Sequence, residues 1–276
     1  MSRLWFSIPA AAALGIAFLV TPAAIASGSS VPLPDSMAAA GDSITQAFDV
    51  TWTGVLQDSP QDSWSTGTSS SVSSEYQKIL AANPAISGHA DNDSVPGATM
   101  ADLDGQVKTA ASQQVQYLTI EMGANDLCVP AVGDMTPTAT FSSQFAQALT
   151  DFTAEDPGAH VFVASIPNIY QLWQDENTNI LAELEWNVLG ICPDMLSAFS
   201  GTAQRQQIQQ QEQADNQVLS NVCAEFSQCL FDNDAVYDFQ FSSADVSNVD
   251  YFHPSIAGQN ALASVAWSAG YWPDTP

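Results

Sequence analysis

A serine, a histidine and an aspartate can together turn a hydroxyl group into a nucleophile, and this chain carries all three in suggestive surroundings. Asp250-Tyr251-Phe252-His253 sets a carboxylate three residues ahead of an imidazole, near enough to hold one ring nitrogen within a turn of chain. Gly41-Asp42-Ser43-Ile44-Thr45 follows the apolar run Met37-Ala38-Ala39-Ala40, so Ser43 falls where a strand ends and a side chain becomes exposed at a sheet edge. A serine hydroxyl attacks poorly until a base removes its proton, and that base needs a carboxylate to fix its tautomer. The two fragments predict acyl transfer, with Ser43 as nucleophile, His253 as base and Asp250 as orienter.

Acyl transfer also requires donors for the oxyanion that forms on the substrate carbonyl. Gly123-Ala124-Asn125-Asp126 follows a second strand-like run ending at Met122, so Asn125 is expected at the same edge as Ser43. Val95-Pro96-Gly97-Ala98 reads as a turn in which Gly97 can bring a backbone N–H close to a substrate. With the backbone N–H of Ser43, these make three donors. Asp42 and Asp126 are expected to hydrogen-bond the turns that aim Ser43 and Asn125. His89 and His160 lack a local carboxylate partner of this kind and read as structural or solvated. Asp91 and Asp93 begin like a calcium loop, but Pro96 stands where such a loop needs glycine.

Taken in chain order, Gly41-Asp42-Ser43, Gly97, Gly123-Ala124-Asn125-Asp126 and Asp250-Tyr251-Phe252-His253 resemble the SGNH (GDSL-type) ester hydrolase family. The resemblance spans residues 37–253. It implies a three-layer α/β/α fold with a central, mainly parallel sheet of flavodoxin-like type. It also implies Ser43, Asp250 and His253 as the triad, Ser43, Gly97 and Asn125 as the oxyanion hole, and no metal or cofactor. Gly97 follows Val95-Pro96 rather than the family's usual Gly-Ala-Ser-type context. The Gly-x-Ser-x-Gly elbow of α/β-hydrolases is missing around Ser43. Gly123–Cys128, Ser63–Gly67 and Cys192-Pro193 are similar to the phospholipase B-like branch.

The elements that must position these residues can be read from pattern. Short apolar runs at Met37–Ala40, Tyr117–Met122, Val161–Ile166 and Ala235–Phe239 read as strands buried on both faces. Helical spacing predicts helices over Ser73–Ala82, Leu103–Ser112, Phe141–Phe152, Thr202–Phe226 and Ser255–Ala269. The alternation argues for an α/β fold with a parallel sheet. Residues 46–71 form a long Ser/Thr-rich stretch, in which Trp52 and Trp64 favour packing. Tyr170, Leu172, Trp173 and Trp186 follow the third strand, where ligands collect in open parallel sheets. Tyr170 and Trp173 are therefore candidate substrate contacts, with core packing as the other role these aromatics could serve.

Composition narrows the setting. Arg3, the apolar stretch from Leu4 to Val20 and Ala24-Ile25-Ala26 read as a secretory signal peptide over residues 1–26. A Ser/Pro-rich lead-in at 27–35 and a single domain from 36 to 276 follow. Beyond that leader no apolar run approaches the roughly 18 residues of a bilayer span, so an exported protein without stable membrane insertion is expected. Without Arg3, three cations stand against 30 acidic residues, a charge of −27. Nucleic acid and anionic membranes are repelled by such a field. Four cysteines in an exported chain read as two disulfides, and three pairings are open. Cys223 and Cys229 lie close enough to clip a helix end to the next strand, which leaves Cys128 with Cys192. Zinc is not expected, because no C-x-x-C spacing exists and histidine is scarce. The expected protein is a monomeric, exported esterase or lipase acting on a small-molecule or lipid ester. A carbohydrate O-acetylesterase is the alternative. A non-catalytic binding module is disfavoured because all four marks are intact.

Overall fold

Strand β1 (Met37–Gly41) is small and apolar along its whole length, and every residue in it is buried, as a strand covered on both faces must be. The computed structural model describes residues 1–2 and 31–275, and the compact unit begins at Val31. The expected leader, apart from its first two residues, and residues 27–30 of the lead-in lie outside the described residues. The rest of the lead-in is pinned to the domain: Trp272 donates its indole N–H to Val31 O and Asn83 its amide to Pro34 O.

After β1 come α1 (Glu75–Ala82), β2 (Ala90–Asn92), α2 (Leu103–Gln113), β3 (Tyr117–Glu121), α3 (Ala124–Leu127) and α4 (Thr138–Glu155). Then follow β4 (His160–Val163), α5 (Ile169–Glu176), α6 (Ile180–Leu189), α7 (Pro193–Leu196), α8 (Thr202–Cys223), β5 (Cys229–Phe231), α9 (Ala235–Asp238) and α10 (Ile256–Ala269). The five strands pair in parallel in the order β2-β1-β3-β4-β5. Since the chain winds to one side of β1 for β2 and to the other for β3, a crevice opens beyond the carboxyl ends of β1 and β3.

Strand alternation sorts the core into two layers. Ala38, Ala40, Leu118, Ile120, Val161 and Val163 face a cluster built with α2, α4 and α8. Met37, Tyr117 and Phe162 face the opposite cluster, which α1 and α10 complete through Ile79, Leu262, Ala266 and Trp267. The result is the three-layer α/β/α arrangement. In α4 the buried Phe141, Phe145, Ala148, Leu149 and Phe152 follow helical spacing. Ser74 and Ser255 cap α1 and α10 by accepting from the amides three residues on. Helix α8 buries polar groups as well as Ile208 and Leu219, and they serve the backbone after β4. Asn216 accepts from Ile166 N, and Glu212 from Ile169 N.

Three expectations need correction. The run Ala235–Phe239 is not a strand but mostly the short helix α9; the strand is β5, six residues earlier. Asp232 ends that strand by accepting from the amides of Asp234 and Val236, and Asn233 and Asp234 take left-handed φ values of 56° and 62°. Such a turn cannot continue an extended chain. Strand β2 was not anticipated, because Ala-Asp-Asn at a sheet edge carries no apolar signal. In the 46–71 stretch Trp64 is buried, whereas Trp52 is exposed. The cysteines pair as Cys128–Cys192 and Cys223–Cys229, the second tying the end of α8 to the start of β5.

Candidate active site

The turn that carries Ser43 is built by close approach. Gly41 lies opposite Glu121 in the β1–β3 register, and a Cβ there would meet Glu121 O at 2.5 Å and Thr45 Oγ1 at 2.6 Å. Only glycine lets the strand leave the sheet at this point. The side chain of Gln106 on α2 clamps the same residue, accepting from Gly41 N at 2.7 Å and donating to Gly41 O at 2.9 Å. On the other side Gln259 of α10 donates to Ile44 O at 2.8 Å and accepts from Trp64 N at 2.8 Å. Asp42 accepts from Ile44 N at 2.9 Å and so braces the turn that presents Ser43.

Ser43 Oγ lies 2.8 Å from His253 Nε2, and His253 Nδ1 lies 2.5 Å from Asp250 Oδ2. All three side chains are buried. The other Asp250 oxygen accepts from the backbone amides of Phe252 and His253, at 2.9 and 3.0 Å. One carboxylate thus folds its own turn and orients the imidazole. Tyr251, inside that turn, holds φ at 57°. Phe48 and Phe252 flank the His253 ring, with centroids 5.1 and 5.0 Å away.

Asn125 stands in α3, directly beyond β3. Its carboxamide donates to Ala98 O at 3.0 Å and to Asp42 Oδ2 at 3.2 Å. Gly97, at φ +78°, precedes the carbonyl that Asn125 reaches, so the Gly97 turn and the Asn125 side chain meet at one corner. Asp126 accepts from Met100 N at 2.8 Å and ties that turn to α3. Ser43, Gly97, Asn125 and the pair Asp250 and His253 come from four separate segments and converge here.

Buried acids lie beneath. Burial pushes Asp42 up to about 6, against the opposing pull of the Ile44 amide and His253. Burial, reinforced by Asp42, drives Glu121 well above the usual carboxylate range. Asp126 is raised by burial too.

An apolar cleft is lined by Ile44, Ala124, Ile169, Leu172, Phe252 and Leu262, among them the immediate chain neighbours of Ser43, Asn125 and His253, which do not line it themselves. Helix α5 contributes Ile169 and Leu172 to it. Tyr170 and Trp173, from the same helix, are not among the lining residues; they sit half-buried against the core, their rings 5.5 Å apart, with the Arg205 guanidinium 4.1 Å from the Trp173 ring. Trp186 is buried and donates its indole N–H to Tyr251 O at 3.0 Å. Sequence reasoning missed Gln106, Gln259, Phe48 and this role of Trp186. Single polar or aromatic residues in helices and loops carry no local mark of such long-range bonds. Asn92, in a sequence that fits a glycosylation sequon, is half-buried and bonded through its amide to Thr45 O.

Comparison with known proteins gives the family and the fold. The model of the GDSL-like lipase/acylhydrolase family matches residues 39–261. Among solved structures, phospholipase A1 from Streptomyces albidoflavus NA297 superposes with a TM-score of 0.52 at 17% identity, covering 85% of this chain and 99% of that one. The acetyl xylan esterase AlAXEase gives 0.51 at 14% identity over 84% and 98%. A candidate GDSL-like lipase from Parabacteroides merdae gives 0.50 at 14% identity over 85% and 94%. At these identities the likeness is one of fold. No curated protein matches the sequence.

Proposed function

The chain belongs to the GDSL-like lipase/acylhydrolase family, and from that premise we propose that it is a serine hydrolase of carboxylic esters that works through an acyl-enzyme on Ser43. The observation that carries this reading is the continuous relay from Ser43 Oγ to His253 Nε2 and from His253 Nδ1 to Asp250 Oδ2. His253 takes the Ser43 proton as Oγ attacks the ester carbonyl, and Asp250 stabilises the imidazolium that results. Negative charge gathers on the carbonyl oxygen, where the Ser43 and Gly97 amides and the Asn125 carboxamide receive it. His253 then gives its proton to the departing alcohol, leaving the acyl group on Ser43. Water, deprotonated by His253, repeats the sequence in reverse and releases the acid.

An apolar cleft lined by the chain neighbours of Ser43, Asn125 and His253 supports an acyl chain of some length over acetyl alone. Two disulfides support an oxidising compartment outside the cytoplasm. Hydrolysis of p-nitrophenyl esters from acetyl to palmitoyl, alongside a phosphatidylcholine, tests both parts of the reading. Rates that extend to long chains and vanish in Ser43→Ala are expected. Activity confined to acetyl would point to a carbohydrate O-acetylesterase instead, and wild-type rates in Ser43→Ala would remove the nucleophile assignment.

A further inference from the structure

Helix α6 turns an apolar face to solvent, where a surface helix ordinarily carries charge. Ile180, Leu184 and Val188, each four residues from the next, are 78%, 57% and 69% exposed, and Phe199 beyond α7 is 94% exposed. The buried residues of α6 are Ala182 and Trp186. Scattered exposed aliphatic residues need no explanation, but a row along one helix marks a contact surface.

That helix is fixed to the catalytic machinery at two points. Trp186 donates to the carbonyl of Tyr251, between Asp250 and His253. Just past the helix, Cys192 is bonded to Cys128, three residues after Asn125. A second apolar outcrop, with Trp52 and Leu56 both exposed, sits on a loop tied to the same catalytic segment. Phe48 of that loop packs on the His253 ring, and the Asp49 carbonyl accepts from the Ser247 hydroxyl.

Charge decides what can cover these residues. The chain carries a formal −26. Among the described residues its cations are otherwise engaged: Lys108 is paired with Asp104 and Asp151, Arg205 donates to the carbonyls of Met195, Ser197 and Ser200, and Lys78 donates to Ser73 O. A second copy of so acidic a chain is repelled, and so is an anionic membrane. An aliphatic row without free cations fits an electrically neutral lipid surface, where binding scales with the apolar area inserted.

We propose that the outer face of α6, with Trp52 and Leu56, is a docking surface for electrically neutral lipid, held rigidly beside Ser43. The proposal deepens the ester-hydrolase reading and rests on it for its purpose, although docking itself requires no catalysis. Its test uses the full chain carrying Ser43→Ala, so that the lipid is not consumed, in flotation with phosphatidylcholine vesicles. Binding should persist as salt rises, and adding Leu184→Ser with Val188→Ser should weaken it at least tenfold. The thermal midpoint should stay unchanged, since both side chains are exposed. Brominated phosphatidylcholine should quench Trp52, read as the fluorescence difference from Trp52→Phe. The proposal is overturned by no flotation, by equal flotation of the parent and the doubly substituted chain, by an unquenched Trp52, or by a dimer in sedimentation equilibrium that these substitutions dissociate. Failure of the hydrolase reading shows up separately, as ester hydrolysis that survives Ser43→Ala.

Discussion

The carboxamide of Asn125 donates to the carboxylate of Asp42 across 3.2 Å, so the residue immediately before Ser43 holds the side chain proposed to receive the oxyanion's charge. An amide nitrogen has two hydrogens, and the second goes to Ala98 O at 3.0 Å. Both are therefore engaged before substrate arrives. The longer bond, to Asp42, is the one that can be shared when an oxyanion forms nearby. Asn125→Ala should lower kcat by about 10²–10³-fold with KM little changed, because this donor matters chiefly once negative charge has developed. Steady-state kinetics on a soluble p-nitrophenyl ester provide the check. A change in KM alone would mean that Asn125 binds the ground state.

Asp42 can be tested apart from Asn125. Its two oxygens divide the work, one bracing Ile44 N and the other holding Asn125. In Asp42→Asn the new oxygen can keep the bond to Ile44, but the new NH2 group then faces the NH2 of Asn125. Two donors meet, and Asn125 loses its anchor. Loss of one such bond is worth about 1 kcal/mol, so kcat should fall between five- and tenfold by that estimate, again with KM nearly constant. Double substitution with Asn125→Ala should add nothing further to kcat, because Asp42 acts through Asn125. Additive losses would show that Asp42 has an independent role.

The parts of this protein that were legible in sequence are those whose physics is local. Asp250 and His253 lie within one turn of chain, and the bonds from Asp250 to the amides of Phe252 and His253 are dictated by that spacing. The strands β1, β3 and β4 are apolar because helices cover both faces, and an apolar run is visible without any structure. By contrast, β2 exists only because β1 offers it an edge, and Ala90-Asp91-Asn92 has no pattern of its own. Ala235–Phe239 looked like a strand by composition, but the Asp232 turn upstream overrides it. Gln106 and Gln259 reach Gly41 and Ile44 from helices 65 and 215 residues away in sequence, so nothing near them announces the role.

Buried acids make stability depend on pH in an unusual direction. Burial raises Glu75 to about 7, Asp215 to about 7 and Glu212 to about 8. Each group keeps its proton in the folded chain at pH values where the unfolded chain has lost it. Stability is then fully present below the ordinary carboxylate range and is lost as pH rises through these folded values. The thermal midpoint should accordingly decline between pH 5 and pH 8, the interval between ordinary and raised values. Glu212→Gln isolates one contributor: it keeps an acceptor for Ile169 N and cannot ionise. At pH 8 the variant should melt higher than the parent by about 3 °C or more, and at pH 4 the two should agree. Calorimetry at the two values decides it. An equal shift at both would mean that packing rather than ionisation separates the variants.

Asp250→Asn asks which of two tasks the carboxylate cannot give up. In the parent, one oxygen takes the Phe252 and His253 amides while the other takes the His253 ring at 2.5 Å. Asparagine has a single oxygen, and two converging backbone donors hold it more firmly than one ring nitrogen can. The oxygen should therefore stay with the backbone, leaving an NH2 group against Nδ1. Facing a donor, Nδ1 must become an acceptor, which places the ring proton on Nε2 and aims it at Ser43 Oγ. The imidazole can then no longer take the serine proton, and kcat should fall by about 10⁴-fold, as the same substitution does in serine proteases. Because the turn survives, the thermal midpoint should move by no more than about 3 °C. Asp250→Ala removes both acceptors and leaves Tyr251 at its left-handed φ of 57° without the Asp250 bonds to the Phe252 and His253 amides. It should lose activity to a similar degree and also destabilise the fold by about 1–3 kcal/mol. If Asp250→Asn instead melts as low as Asp250→Ala, its oxygen has gone to the ring, and the backbone bonds are the weaker of the two claims on Asp250.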